Sequence, residues 1–120
     1  MTIYAADIES DGLLDEITKV WCASFAELDS QDRVERSFTL TDKEGIGAIF
    51  ADPSNTLIMH NGYGFDKPAI EKVYGIKVEA TIVDTLYLSW YLYPLNIRHG
   101  LAWWGEELGI AKPEVEDWSD

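Results

Sequence analysis

An α/β fold on a mixed five-stranded sheet is what three features of the sequence predict. These are a short, mostly apolar run at the start that ends in acids, two alternating segments joined by a polar turn, and a later succession of helical and strand-like segments. The first three strands are expected as an antiparallel meander, with parallel additions and flanking helices after them.

The elements follow in chain order. Thr2-Ile3-Tyr4-Ala5-Ala6-Asp7-Ile8-Glu9 reads as a central strand whose far end delivers carboxylates into a cleft, and Gly12 marks the loop that follows. Lys19 to Leu28 alternates around Val20, Cys22, Ser24, Ala26 and Leu28; after the turn Asp29-Ser30-Gln31-Asp32 the segment Val34 to Leu40 alternates in the same way, which makes a hairpin. A helix is expected over Asp42 to Phe50, with Thr41 or Asp42 as N-cap and acids in its first turn. Thr56 to Met59 reads as a buried strand, and Asp66 to Tyr74 as a helix with Ile70 and Val73 inward and Gly75 at its end. A short strand around Thr81 to Val83 leads into a helix from Asp84 to about Tyr91. Beyond Pro94, Arg98 to Leu108 forms another helix closed by Gly109, and the tail from Lys112 to Asp120 is acidic and weakly patterned.

Length and composition bound what such a fold can be. With 120 residues, 47% of them hydrophobic, the chain supports one domain with its own core. Twenty-two acidic against nine basic residues leave a net charge of -13, the wrong sign for gripping a phosphate backbone by counterion release, so contact with nucleic acid would be local, metal-mediated or assisted by a partner. The single Cys22 rules out a disulfide framework and reads as a small buried residue in a reducing compartment. No stretch approaches a membrane helix, and the residues before Asp7 lack the make-up of a secretory leader, so a soluble, cytoplasmic protein is expected.

Chemistry points to three acids. Asp7 and Glu9 are two apart on a strand and share a face, bringing two carboxylates to one place, and oxygen donors of that kind suit hard cations such as Mg²⁺ or Mn²⁺. Such a pair can also be a solvated loop edge. His60-Asn61-Gly62-Tyr63-Gly64-Phe65-Asp66 follows a buried strand, and its glycines allow a sharp turn before a helix that opens near Asp66, where Asp66 is either a site residue or an N-cap. Asn61 either meets a substrate or braces this turn. His60 and His99 read as structural, His60 bonded within its loop and His99 at a helix start, and Asp84 reads as an N-cap outside the metal set. Trp90, Tyr91, Tyr93, Trp103 and Trp104 form an aromatic-rich stretch that suits a core, a partner surface or the stacking of bases.

Four ordered motifs give the chain a family resemblance. Asp7-Ile8-Glu9-Ser10-Asp11-Gly12-Leu13-Leu14, His60-Asn61-Gly62 through Asp66, Val83-Asp84-Thr85-Leu86-Tyr87-Leu88-Ser89, and His99-Gly100-Leu101-Ala102-Trp103-Trp104-Gly105-Glu106-Glu107-Leu108-Gly109 resemble segments of the DEDD, or DnaQ-like, 3′–5′ exonucleases. Within that superfamily they are most similar to the proofreading domains of family A DNA polymerases from T7-like phages, with Lys112 and Asp117-Trp118 fitting the segment after the last motif. The resemblance covers nearly the whole chain and implies an RNase H-like core. It further implies a two-metal mechanism with Mg²⁺ or Mn²⁺, in which Asp7, Glu9 and Asp66 are ligands, and release of nucleoside 5′-monophosphates from a single-stranded DNA 3′ end. Asn61, Leu13 and Leu14 would lie against the substrate terminus, although two leucines after a loop are also ordinary packing. For a phage protein the compartment would be the host cytoplasm.

The family's third motif, a Tyr followed four residues later by the fourth ligand Asp, belongs on a later helix, and neither Asp117 nor Asp120 stands at its place. Residues 1–120 are therefore expected as one exonuclease-like domain without that helix, whose fourth carboxylate comes from elsewhere, and weak metal binding is expected of the isolated chain. The alternative is a non-catalytic module of the same fold that binds a DNA polymerase or another protein partner through its acidic or aromatic surface. A bare acidic mimic of nucleic acid would leave the four motifs unexplained.

Overall fold

The computed structural model describes residues 1–110. They divide into two compact units, Met1–Thr85 and the residues from Leu86 onward.

The first unit holds the sheet. Strand β1 (Thr2–Ser10) pairs antiparallel with β2 (Val20–Leu28), which pairs antiparallel with β3 (Val34–Leu40). On its other side β1 pairs in parallel with β4 (Asn55–Met59), and β4 in parallel with β5 (Thr81–Asp84), giving the order β3-β2-β1-β4-β5. The mixed five-stranded sheet flanked by helices is thus as expected. Helix α1 (Lys43–Ala51) is capped by Asp42, whose carboxylate accepts from the Gly45 N–H at 2.7 Å, and it connects β3 to β4. Helix α2 (Lys67–Tyr74) connects β4 to β5 and stops at Gly75, whose left-handed φ of 68° closes the last turn with a 3.0 Å bond to Glu71 O.

Strand alternation sets the core. Tyr4 and Ile8 of β1, Ala23 and Phe25 of β2, Leu57 and Met59 of β4 and Ile82 of β5 are buried with Ile46 and Phe50 of α1 and Ala69 and Ile70 of α2. Phe25 lies at the centre of this layer, edge-on to Tyr4 and Phe50 and stacked on Phe38, with ring centroids 5.4 to 6.1 Å apart. The carbonyl of Phe50 also accepts the N–H groups of Glu79 and Ala80, both at 3.1 Å, which ties the approach to β5 to the end of α1. Cys22 is half-buried, not buried as its apolar surroundings in sequence suggest, because it falls on the face of β2 opposite the core residues Ala23 and Phe25.

The second unit carries α3 (Thr85–Leu92), which begins at the last residue of the first unit, and α4 (Leu101–Glu107). The expected helix over Arg98 to Leu108 is shorter: Gly100 is its extended N-cap, and His99 ahead of it is committed elsewhere. His99 Nε2 donates to Asn96 O at 3.1 Å, which leaves Nδ1 to accept the hydroxyl of buried Ser89 at 2.6 Å; the Trp104 indole donates to the same Ser89 oxygen at 2.8 Å. His99 is thus structural as read, but it lies before the helix start. The tail expected from Lys112 onward lies outside the described residues. No helix among the described residues is long and apolar enough to cross a membrane.

Candidate active site at the ends of β1 and β4

Asp7 and Glu9 lie on the face of β1 opposite the core residues Tyr4 and Ile8, as the period of two requires, with Asp7 exposed and Glu9 half-buried. Their cross-strand partners on β2 are Ser24 and Cys22, and these two carboxylates add to burial in pushing the Cys22 thiol up from its ordinary value. Immediately beyond, the β1–β2 register slips between Glu9 and Ser10, because Trp21 is an extra residue on β2. Such a bulge turns the strand end and ends regular pairing next to the two acids.

The loop after β1 is tied down from both sides. The Asp11 carboxylate accepts the Thr18 N–H at 3.0 Å, the Lys19 N–H at 3.1 Å and the Thr18 hydroxyl, and these bonds hold its pKa below the ordinary value. From α2, Lys72 Nζ donates to the carbonyls of Leu14 and Asp15, at 2.8 and 3.3 Å. This fixes the two leucines differently: Leu14 packs against the core, and Leu13 is 78% exposed.

The third acid arrives from the far end of β4. After Met59 the chain passes His60 and Asn61, the latter with a left-handed φ of 65°, and enters a single π-helical turn, Gly62–Asp66, before α2. Asp66 is not an N-cap: its own backbone is helical and its side chain makes no capping bond. Instead the carboxylate turns toward β1, where Oδ2 accepts the Ile8 N–H at 3.3 Å. Asp66 is 3% exposed, and burial first, then the charge of Asp7 and that of Asp84, push its pKa up to about 7.

The turn is held by its neighbours on the β5 side. The Asp84 carboxylate accepts the Asn61 N–H and the Tyr63 N–H, each at 2.9 Å, and the Tyr63 hydroxyl donates to Ile82 O at 3.1 Å. His60 Nδ1 bonds to Thr85 Oγ1 at 2.9 Å, so its partner is the first residue of α3 and not in its own loop. The Asn61 side chain lies over Gly64, where any added Cβ would collide with its amide.

Asp7 and Glu9 therefore share a strand face, and Asp66 reaches the backbone residue between them while its titration feels Asp7. Among the described residues no group of three His, Cys, Asp or Glu side chains is placed to hold a metal ion, and the Asp66 carboxylate is turned onto the Ile8 amide. The donor set is nevertheless all carboxylate oxygen, and Asp66 is an acid buried beside other acids, so the chemistry fits a hard divalent cation. The role of Asp84 as a holder of the second motif was missed in sequence; the one available signal was an acid at the end of a strand adjoining β4.

Two acids at the end of β1 and a third from the segment after β4 thus lie on a mixed α/β sheet. A profile of the RNase H superfamily matches residues 5–116, and the chain belongs to that superfamily. No curated protein sequence matches it. Among solved structures it is similar to Brucella melitensis NrnC, at 21% identity and a TM-score of 0.72 over 98% of this chain and 57% of that one, and to NrnC with bound Mg²⁺, at 20% identity and a TM-score of 0.73 over 95% and 57%. Exonuclease I of E. coli in complex with single-stranded DNA, in a zinc-bound form, is similar at 14% identity and a TM-score of 0.69, over 91% of this chain and 35% of that one. The chain thus spans little more than half the length of NrnC and about a third of exonuclease I. These structural neighbours are nucleases.

Proposed function

We propose that this chain is a metal-dependent 3′–5′ exonuclease domain of the proofreading type, acting on a single-stranded DNA 3′ end. The observation that carries the reading is the placement of Asp66, from a motif 58 residues away, on the amide of Ile8 between Asp7 and Glu9. The superfamily, the nuclease neighbours and the resemblance of the motifs to the proofreading domains of T7-like phage polymerases support it.

In this reading Asp7, Glu9 and Asp66 would hold Mg²⁺ or Mn²⁺, which when bound would supply an acidified water and charge neutralisation at the leaving 3′ oxygen. The chain's own residues do the rest. Asp11 and Lys72 hold the loop that presents Leu13 to a terminal base. The Asn61 side chain, which lies over Gly64, would meet the substrate terminus. Residues 1–120 act as one exonuclease-like domain, working in the cytoplasm, of the host if phage-encoded, and the fourth carboxylate and the general-base Tyr come from a further segment or a partner chain.

The test is digestion of a 5′-labelled single strand by the chain in Mn²⁺, with Asp7→Ala and EDTA as controls. A ladder shortened from the 3′ end and lost in both controls is expected wherever the fourth carboxylate is supplied; for Asp7→Ala the loss should exceed about a hundredfold, as for a group aimed at developing charge. A ladder that survives Asp7→Ala would overturn the reading.

A second reading is favoured by one observation, the absence of a closed three-ligand group among the described residues: a non-catalytic module that binds a DNA polymerase or another protein. Such a module keeps its partner when Asp7 and Glu9 are both replaced by alanine, whereas the nuclease loses its activity.

A further inference from the structure

We infer that Asp84 is the positioning residue of this site: it clamps the turn after β4 and thereby sets where the Asp66 carboxylate stands. The inference deepens the nuclease reading, from which it takes the importance of Asp66.

It starts from the point where two strands part. β1 and β4 pair only as far as Ala5 and Ile58, after which β1 runs on to Ser10 while β4 ends at Met59. Past the fork the Ile8 N–H has no β4 residue opposite it, and Asp66 supplies the acceptor, at 3.3 Å. The position of Asp66 is therefore reported by a single backbone bond across the fork.

The other branch of the fork stays paired. β4 and β5 continue in register to their last residues, Met59 opposite Asp84, so Asp84 stands beside the point where the chain leaves the sheet. Its two oxygens are shared out: Oδ1 accepts the Asn61 N–H and Oδ2 the Tyr63 N–H, both at 2.9 Å, in a side chain 4% exposed. Only a carboxylate offers two equivalent acceptors in that geometry, because an asparagine would turn an amide N–H toward one of the two donors. Between those donors the backbone passes through Asn61 at φ 65°, in the left-handed region that favours glycine. The π turn that ends in Asp66 begins at once, at Gly62. Asp84 thus holds a left-handed residue and the first turn of the segment that aims Asp66.

An N-cap role at α3 alone would leave Ile8 untouched when Asp84 is changed, and this separates the two. The experiment is amide hydrogen exchange by NMR on the full 120-residue chain in EDTA, comparing wild type, Asp84→Asn, and Asp84→Asn combined with Asn61→Gly, which keeps the N–H but removes the left-handed strain. In Asp84→Asn, exchange at Asn61 and Tyr63 is expected to speed up by about tenfold or more, as for loss of a charge-assisted bond, and Ile8 should speed up with them while Ala26 in the β2–β3 ladder does not. Adding Asn61→Gly should restore much of the Ile8 protection. An Ile8 amide that keeps its wild-type rate while the turn loosens overturns the inference. If Asp84→Asn does not fold, the comparison is made in the Asn61→Gly background, and failure of that background to restore either the fold or Ile8 protection also overturns it.

Mn²⁺ affinity, measured by calorimetry on the same proteins, should fall several-fold in Asp84→Asn and recover in part in the double variant. If the wild-type chain takes up no Mn²⁺ at all, the metal site of the nuclease reading fails, while the exchange rates at Ile8 still decide the clamp.

Discussion

Asp66 is a carboxyl group buried among other carboxyl groups, and its pH dependence has a definite sign. In the unfolded chain it ionises near 3.8, and in the fold near 7. Between those values the folded state holds a proton that the unfolded state has released, so stability from this group falls as pH rises from about 4 to about 7 and is level above that. The Asp66→Asn variant keeps an oxygen for the Ile8 N–H and carries no charge. In EDTA it should melt above the wild type at pH 7.5, and the two should converge toward pH 4. A gain of about 1 kcal/mol moves a domain of this size by about 4 °C, well within the reach of a thermal scan. Equal melting points across the range would mean that Asp66 is not an anion under strain in the metal-free fold. That Asp7 and Glu9 share one face of β1 could be read in sequence, since a strand period of two suffices for it. What could not be read there was the use of Asp66 and Asp84: an acid at a helix start looks like a cap, and only the tertiary fold shows one turned to Ile8 and the other to Asn61 and Tyr63.

Elements were legible where local chemistry and periodicity agree. The β2–β3 hairpin, the Asp42 cap and the Gly75 stop follow from alternation, a side-chain acceptor and a left-handed residue, all within a few positions of each other. The π turn and the late start of α4 were not legible, because the first is imposed by the grip of β5 on residues 60–63 and the second by the commitments of His99 to Ser89 and Asn96. Two glycines show the difference between an element's own needs and those of the site. At Gly75 a Cβ meets nothing within 4 Å, so Gly75→Ala carries only the left-handed backbone penalty, about 1 kcal/mol. At Gly62 a Cβ would stand 3.0 Å from both Met59 Cβ and Ile82 Cγ2, two buried residues of adjoining strands, so Gly62→Ala should cost about 1–3 kcal/mol and displace the turn. Denaturant melts should show loss of stability in both variants, and Mn²⁺ titration a loss of affinity in Gly62→Ala only. Equal Mn²⁺ affinity in the two would mean that the turn can shift without moving Asp66.

At the scale of the whole molecule, charge decides how a strand can be held. Of the net -13, little is offset near the aromatic stretch: from Leu86 to Ile110 the charged residues are Arg98, Glu106 and Glu107, so the half-exposed rings of Tyr87, Trp90 and Tyr93 come without a basic track for phosphates. In the first unit Lys72 is engaged by the carbonyls of Leu14 and Asp15, and Lys67 stands 5.9 Å from the ring centroid of Tyr63. Counterion release scales with the number of phosphates met by Lys or Arg, with a slope of log K against log salt of about -0.7 per contact for single strands. With one or two such residues near the site the slope should be no steeper than about -1.5, and in EDTA the chain should show no measurable hold on an oligothymidine. Divalent cation should reverse the usual order and strengthen binding, because it neutralises the carboxylates that otherwise repel the strand. Fluorescence anisotropy at a series of salt concentrations, with and without Mg²⁺, measures both quantities. A steep slope without metal would place the grip on basic side chains away from the three acids, whereas metal-dependent binding with a shallow slope locates it at the acidic end of β1.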